Sequence, residues 1–143
     1  MALWFKSKHP TLSWLSNFSK HGFELEGSRW ASVEHFYQAQ KYAGTEAWSR
    51  IRAAGSPMEA RKAGQDRSLT PRKDWEAVKL EIMRQALWAK FDQNRRLKQM
   101  LIDTGTEELV HESSSDLFWG RSRDGEGENQ LGQLLMRVRD ELG

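Results

Sequence analysis

The chain has no cysteine. Disulfides and thiolate-held metals are therefore excluded, and a reducing cytoplasm is the simple expectation. No stretch approaches the ~18 apolar residues of a membrane span. The first ten residues, MALWFKSKHP, lack the apolar core and small-residue cleavage pattern of a secretory signal. A soluble chain with no membrane partner is expected. With 11 glycines and 3 prolines, the sequence is too poor in both for a disordered chain. The four histidines, at 9, 21, 35 and 111, show no H-E-x-x-H or other ligand pairing, so no metal site is expected. No G-x-S-x-G marks a serine hydrolase. The net charge of +2 is too small to demand nucleic acid, although RRLK (95–98), Arg67, Arg121 and Arg123 leave room for a phosphate-bearing ligand.

What is present is enough for one domain. A chain of 143 residues with 38% hydrophobic and 29% charged residues can bury its own core, so a single domain over 1–143 is expected. Seven tryptophans stand against two tyrosines. Buried indoles need a partner for the N–H. Packing accounts for most of them, and lining a pocket for a planar ligand is the other reading for one or two.

GFELEGSRW (22–30) alternates Phe23 and Leu25 with Glu24 and Glu26 and turns at Gly27, which predicts a short hairpin with one wet face. SVEHFYQAQK (32–41) follows. Ser32 is placed to cap a helix of about 33–43, Glu34 lies in its first turn, and Gly44 stops it. Thr45 caps a second short helix that ends at Gly55. Ser56, Pro57 and Glu59 form a capping box for a third, ending at Gly64. Thr70, Pro71 and Asp74 repeat that signal before the longest helix, where Trp75, Val78, Ile82 and Ala86 form a stripe beside Leu80, Met83, Leu87 and Phe91. A break near Asn94 and a restart to Gly105 come next. EELVHES and SDLFWG read as two short extended pieces. GRSRDGEGEN reads as a loop that delivers Asn129 as the cap of a last helix faced by Leu131, Leu134, Leu135, Val138 and Leu142. The fold class is α+β, a compact and predominantly helical domain with a short antiparallel β element.

Three features carry possible chemistry. Glu34, Gln38 and Lys41 stand at i, i+4 and i+7, on one helix face. They form either a solvated stripe around a weak ion pair or a general acid or base beside an amine. The glycine loop WGRSRDGEGEN is either an anion cradle built with the first turn of the last helix, or a plain connector. Asp116, next to LFW, is either a partly buried acceptor for a ligand or the cap of a local turn.

Taken together, LSNF (15–18), WASVEHFYQAQK (30–41), SP with A..AG (56–64), R..W...K...M..AL.AKF (72–91), LV (109–110) and WG....G.GEN.LG.LLM.VR (119–139) resemble the NADAR domain family. The motifs run in the family's order over nearly the whole chain. The resemblance implies hydrolysis, without metal or cofactor, of an N-glycosidic bond between ribose and an amino-bearing heterocycle. It implies two substrate classes: ribosylamino-pyrimidine phosphates of riboflavin synthesis, and ADP-ribose attached to guanine in nucleic acid. The expected partner is thus a small ribosyl or ADP-ribosyl substrate, or an ADP-ribosylated nucleic acid. Carried over residue by residue, the resemblance makes Glu34 of EH, Lys41 at the end of QAQK and Asp116 of D..WG the catalytic residues. It makes Asn17 and Phe18 of LSNF, Trp75, Trp119, Gly120, and Asn129 of GEN substrate-binding. Two departures stand out. Ser122 takes the place of a glycine found in many relatives, and Gln65 replaces the arginine of their AGR, with Arg67 two positions later.

Cleaving a ribosyl C–N bond builds oxocarbenium character on the sugar while the leaving amine takes up a proton. Glu34 is the first choice for the group that donates or relays it. Lys41 then either stabilises anionic oxygen or attacks the ring-opened aldehyde carbon as an amine, forming a Schiff base. Trp75 or Trp119 stacks on the base. A non-catalytic module that binds nucleotides or ADP-ribose through the same face is the rival reading, and it would keep its ligand whole.

Overall fold

The structure is a computed structural model and describes all of residues 1–143. In chain order its elements are β1 (Ala2–Phe5), β2 (Phe23–Leu25), β3 (Ser28–Trp30), α1 (Val33–Gln40), α2 (Glu46–Arg52), α3 (Pro57–Gly64), α4 (Trp75–Gln93), α5 (Arg95–Asp103), β4 (Glu108–His111) and α6 (Gln130–Leu142), with a 3-10 turn at Ser13–Leu15. The class is α+β and mostly helical, as expected. No helix is long and apolar enough to cross a membrane. The chain divides into two packing units, residues 17–90 and residues 1–16 with 91–143.

In the unit of residues 17–90, β2 and β3 form the expected antiparallel hairpin, with Phe23 opposite Trp30 and Leu25 opposite Ser28. Glu26 (φ 53°) and Gly27 (φ 77°) make its two-residue turn, both in the left-handed region that the twist of a tight hairpin requires. The hairpin feeds α1, which packs against α2, α3 and β3. Phe36 meets Trp30 edge-on at 5.0 Å between ring centroids, and Trp30 meets Trp48 at 5.3 Å. The Ser56 cap is observed, with its Oγ accepting the Glu59 N–H; the Glu59 carboxylate reaches the Gly55 N–H, one residue earlier than a standard capping box. Thr45 does not cap α2 through its side chain, because its hydroxyl donates back to the Tyr42 carbonyl.

The start of α4 differs from expectation. Thr70 and Pro71 lie outside the helix, which opens at Trp75. The Arg72 N–H is committed to the Lys41 carbonyl at 2.8 Å, which holds this lead-in off the helical path, and the Asp74 carbonyl accepts the first intrahelical bonds, from Ala77 and Val78. Within α4 the predicted stripe is inward, with Trp75, Ile82, Met83, Ala86, Leu87 and Phe91 buried, whereas Leu80 is exposed. Lys90 is fully buried among them, and desolvation pushes its ammonium down to about 7.

In the other unit, β1 and β4 pair in parallel, Ala2 opposite Glu108 through Phe5 opposite His111. α6 packs on β4 and α5 on α6. Leu131, Leu134, Leu135 and Val138 of α6 are buried as expected. The break at Asn94 is also found. SDLFWG is not extended. Asp116 Oδ1 accepts the N–H groups of Phe118 and Trp119, and the Asp116 carbonyl accepts that of Gly120, which closes the segment into a turn.

Candidate active site

Every residue of α1 is buried, the polar ones included. The solvated-stripe reading therefore fails, and each polar side chain needs a partner inside the protein. His35 has two. Its Nε2 lies 2.9 Å from the Ala54 carbonyl, which can only accept, so Nε2 carries the proton. Nδ1 shares a hydrogen bond of 2.7 Å with the Ser32 hydroxyl, whose Oγ also accepts the His35 backbone N–H as the helix cap. His35 is a bracket between the helix start and the end of α2.

Glu34 is 2% exposed. Its Oε2 accepts from Gln38 Nε2 at 2.7 Å and from Arg61 Nε at 3.3 Å. Both partners donate, so Oε2 carries no proton, and Oε1 is left without a bond from the protein. Arg61 comes from α3, and its guanidinium lies 4.5 Å from the centre of the Phe18 ring, which fixes its plane beside the carboxylate. The Glu34 backbone N–H donates to the Asn17 carbonyl at 3.2 Å, so the LSNF segment is sewn to the first turn of α1. Asn17 Nδ2 points to Met83 Sδ, while Asn17 Oδ1 and Gln38 Oε1 are buried acceptors with no donor. Unpaired buried acceptors are costly, which makes them candidates for ligand hydrogen bonds.

The Gln38 side chain lies flat across Gly64, where a Cβ would meet its Cβ at 2.7 Å and its Cδ at 2.8 Å. No side chain fits there without moving the amide off Glu34. Gly64→Ala is expected to cost about 1–3 kcal/mol from overpacking and to lower turnover as well, checked by urea unfolding alongside initial rates. Unchanged stability would show that α3 can shift away.

Lys41 ends the helix, half-buried, with its Nζ 5.6 Å from the centre of the Tyr37 ring and 6.0 Å from that of Trp75. The Arg72–Lys41 backbone bond is what brings Trp75 here, and the Tyr37 and Trp75 rings meet at 5.1 Å. Desolvation lowers the Lys41 pKa, and the positive charges of Arg61 and Lys79 lower it too; Glu34 and Glu76 act in the opposite sense. Lys41 and Trp75 open on a cleft of about 470 Å³ that also takes in Arg67 and Glu76. Arg67, two positions beyond the family's arginine, thus still reaches the cleft that holds Lys41.

Five of the expected residues, Asn17, Phe18, Glu34, Lys41 and Trp75, belong to this unit. Arg61 and Gly64 join them without having been singled out as site residues, and so does Arg67, one of the arginines that left room for a phosphate. The contact between Arg61 and Glu34 links residues 27 positions apart, and nothing in the local pattern of α3 announces it.

The other four belong to the unit with α6 and form one locked turn. Asp116 is exposed and caps the turn, the second of the two settings expected for it. The carbonyls of Leu117, Phe118, Trp119 and Gly120 accept the N–H groups of Glu128, Gln130, Leu131 and Asn129. Gln130 and Leu131 stand in the first turn of α6, so two of the donors that an anion cradle would use are already bonded within the protein. Asn129 (φ 51°) occupies the cap position of α6, but its amide is spent on β4, accepting the His111 N–H and donating to the Leu109 carbonyl. Trp119 stands edge-on to Phe118 at 4.9 Å. Ser122 keeps out of the left-handed region, and its N–H bonds the Glu126 carbonyl, so the missing glycine costs this loop nothing.

The NADAR domain family matches residues 3–143. The N-glycosidase YbiA of Escherichia coli (strain K12) is 42% identical over 127 residues, which is 89% of this chain and 79% of that protein. The NMR structure of the E. coli protein YbiA overlays with a TM-score of 0.90 at 39% identity, covering 99% of this chain and 84% of that one. The chloroplastic riboflavin biosynthesis protein PYRR of Zea mays is 39% identical over 89% of this chain, a match that takes up 23% of that longer protein.

Proposed function

The chain belongs to the NADAR domain family and is a hydrolase of N-glycosyl bonds; we propose that it cleaves a ribosyl C–N bond at the α1 face that presents Glu34 and Lys41. The observation that carries this reading is a buried carboxylate with one oxygen anchored and the other free, two turns from a lysine whose ammonium is destabilised.

The chemistry follows from the leaving group. When ribose is attached through an exocyclic amine, the nitrogen lone pair can open the ring, breaking C1′–O4′ and leaving a C1′=N iminium. Lys41 Nζ, as the free amine, adds to C1′. The heterocyclic amine then leaves with a proton, and water hydrolyses the lysine imine to return Lys41 and the sugar aldehyde. Glu34 Oε1 takes and returns the protons of these steps, while Arg61 and Gln38 hold Oε2 still. Asn17 Oδ1 and Gln38 Oε1 suit donors on the substrate, either ribose hydroxyls or amino groups of the base. Trp75 offers a stacking plane beside Lys41, and Arg67 a partner for phosphate.

Two substrates fit this chemistry, a ribosylamino-pyrimidine phosphate and ADP-ribose on a guanine amine. Both are intracellular molecules, and a cytoplasmic location goes with this reading. The decisive experiment offers both to the purified protein and identifies the released base by mass. Free base from at least one is the expected result. Tight binding of either compound, recovered intact, would replace the enzyme by a binding module.

A further inference from the structure

A second cleft in residues 17–90, of about 560 Å³, lies apart from the one at Lys41 and shares no lining residue with it. Lys20, Arg29 and Arg52 line it, together with Gly22, His35 and Ser56, and no carboxylate is among the lining residues. Glu59 comes to its rim, where its Oε2 is occupied by the Gly55 N–H.

Of the two arginines, Arg52 is held in place. Arg52 Nε donates to the Arg29 carbonyl at 3.0 Å, and its guanidinium stands 5.8 Å from the Trp30 ring centre and 6.0 Å from that of Trp48. Arg29 lies over Gly22, where a Cβ would come within 2.9 Å of Arg29 Nη2, so the glycine makes room for the guanidinium. Ser56, at the start of α3, accepts the Glu59 N–H and keeps its own hydroxyl proton to donate. A guanidinium fixed as that of Arg52 is matches phosphate oxygens at little entropic cost, and Arg29 adds a second charge beside it.

We propose that this cleft is a second, non-catalytic binding site for phosphate esters. Its volume exceeds that of a lone phosphate and leaves room for a second phosphate or a nucleoside. His35 lies six residues before Lys41, the residue that caps the end of α1, which sets their backbone positions ~9 Å apart along the helix and ~120° around it. A ligand with several phosphates could therefore engage both. The site stands on its own lining residues and not on the assignment of Glu34 and Lys41.

The test is equilibrium binding by the full chain, with no turnover needed. A fluorescent single-stranded oligonucleotide is titrated by anisotropy at several salt concentrations, with inorganic pyrophosphate and a mononucleotide as competitors. Lys20→Glu combined with Arg29→Glu is expected to weaken binding at least ~10-fold and to flatten the salt dependence by ~1.4 log units per log unit, two lost phosphate contacts. Lys62→Glu, an exposed charge outside the cleft, should change affinity less than ~3-fold. Competition by the mononucleotide as strong as by the oligonucleotide identifies a nucleotide as the source of the phosphate, and competition by the oligonucleotide alone identifies a strand. Unchanged affinity in the double variant, or an equal loss in Lys62→Glu, overturns the proposal. Arg29→Gln, with its urea midpoint, guards against a folding defect and should reproduce part of the loss. If the protein binds at this cleft yet cleaves neither substrate, the catalytic reading fails and this one stands.

Discussion

Glu34→Gln is expected to lower kcat by at least ~100-fold with little change in KM or in the urea midpoint. The side chains are nearly the same size. The amide oxygen of glutamine can keep the two donors that hold Oε2, from Gln38 and Arg61. What the variant loses is the free oxygen, replaced by an NH2 that cannot take a proton. Arg61 loses an ion pair, but its side chain is 42% exposed, so water replaces most of that interaction. The structural cost is therefore small while the chemical cost is large, and the split between stability and kcat is the signature. Near-normal turnover would remove Glu34 from the mechanism. Glu34→Asp is the companion variant. It keeps the charge but, one methylene shorter, cannot hold both donors and place the free oxygen, so it should recover only part of the rate.

The polar face of α1 was legible as a pattern and illegible as an environment. Ser32 as cap and Gly44 as stop are local signals. The cap is where expected, but the helix ends at Gln40 rather than near 43, and tighter turns, with the Tyr42 N–H on the Ala39 carbonyl and the Ala43 N–H on that of Gln40, carry the chain on to Gly44. Yet 3.6-residue periodicity records only that Glu34, Gln38 and Lys41 share a face. It cannot distinguish a face wet by solvent from one covered by polar protein. The partner that decides it, Arg61, is on α3, and the glycine that lets α3 approach is Gly64. Both would pass for an exposed cation and a helix stop.

The same contrast between local and distant pairing runs through the fold. The β2–β3 hairpin needs two turn residues and was readable. The β1–β4 pair joins residues over a hundred positions apart, so EELVHES could be read as extended without its partner being named. TPRKD misled for a related reason. Its capping chemistry is sound, but the Arg72 N–H has a stronger commitment to the Lys41 carbonyl, and α4 waits until Trp75. That deviation is also what sets Trp75 beside Lys41. In the glycine loop the sequence shows donors without showing that the carbonyls of the preceding turn already fill them.

Lys41 admits the sharpest test. Sodium borohydride added during turnover should reduce a lysine imine to a stable secondary amine, so the peptide containing Lys41 gains the mass of the reduced sugar, and only when substrate is present. Lys41→Arg keeps the positive charge near Tyr37 and Trp75 but cannot form the imine, and turnover should fall by ~10⁴-fold or more, as expected when a nucleophile is lost. The pH profile carries an independent sign. The attacking amine must be neutral, and burial lowers its pKa below the ordinary lysine value of ~10.4. Activity should thus rise with pH along an acid limb centred below that value. Lys79→Gln removes a cation and should move the limb to higher pH, whereas Glu76→Gln removes an anion and should move it lower. Opposite shifts from two residues outside the reaction assign the limb to Lys41. An unmodified Lys41 after borohydride quenching of a productive single turnover would leave direct attack by water, with Glu34 as its base, as the surviving mechanism.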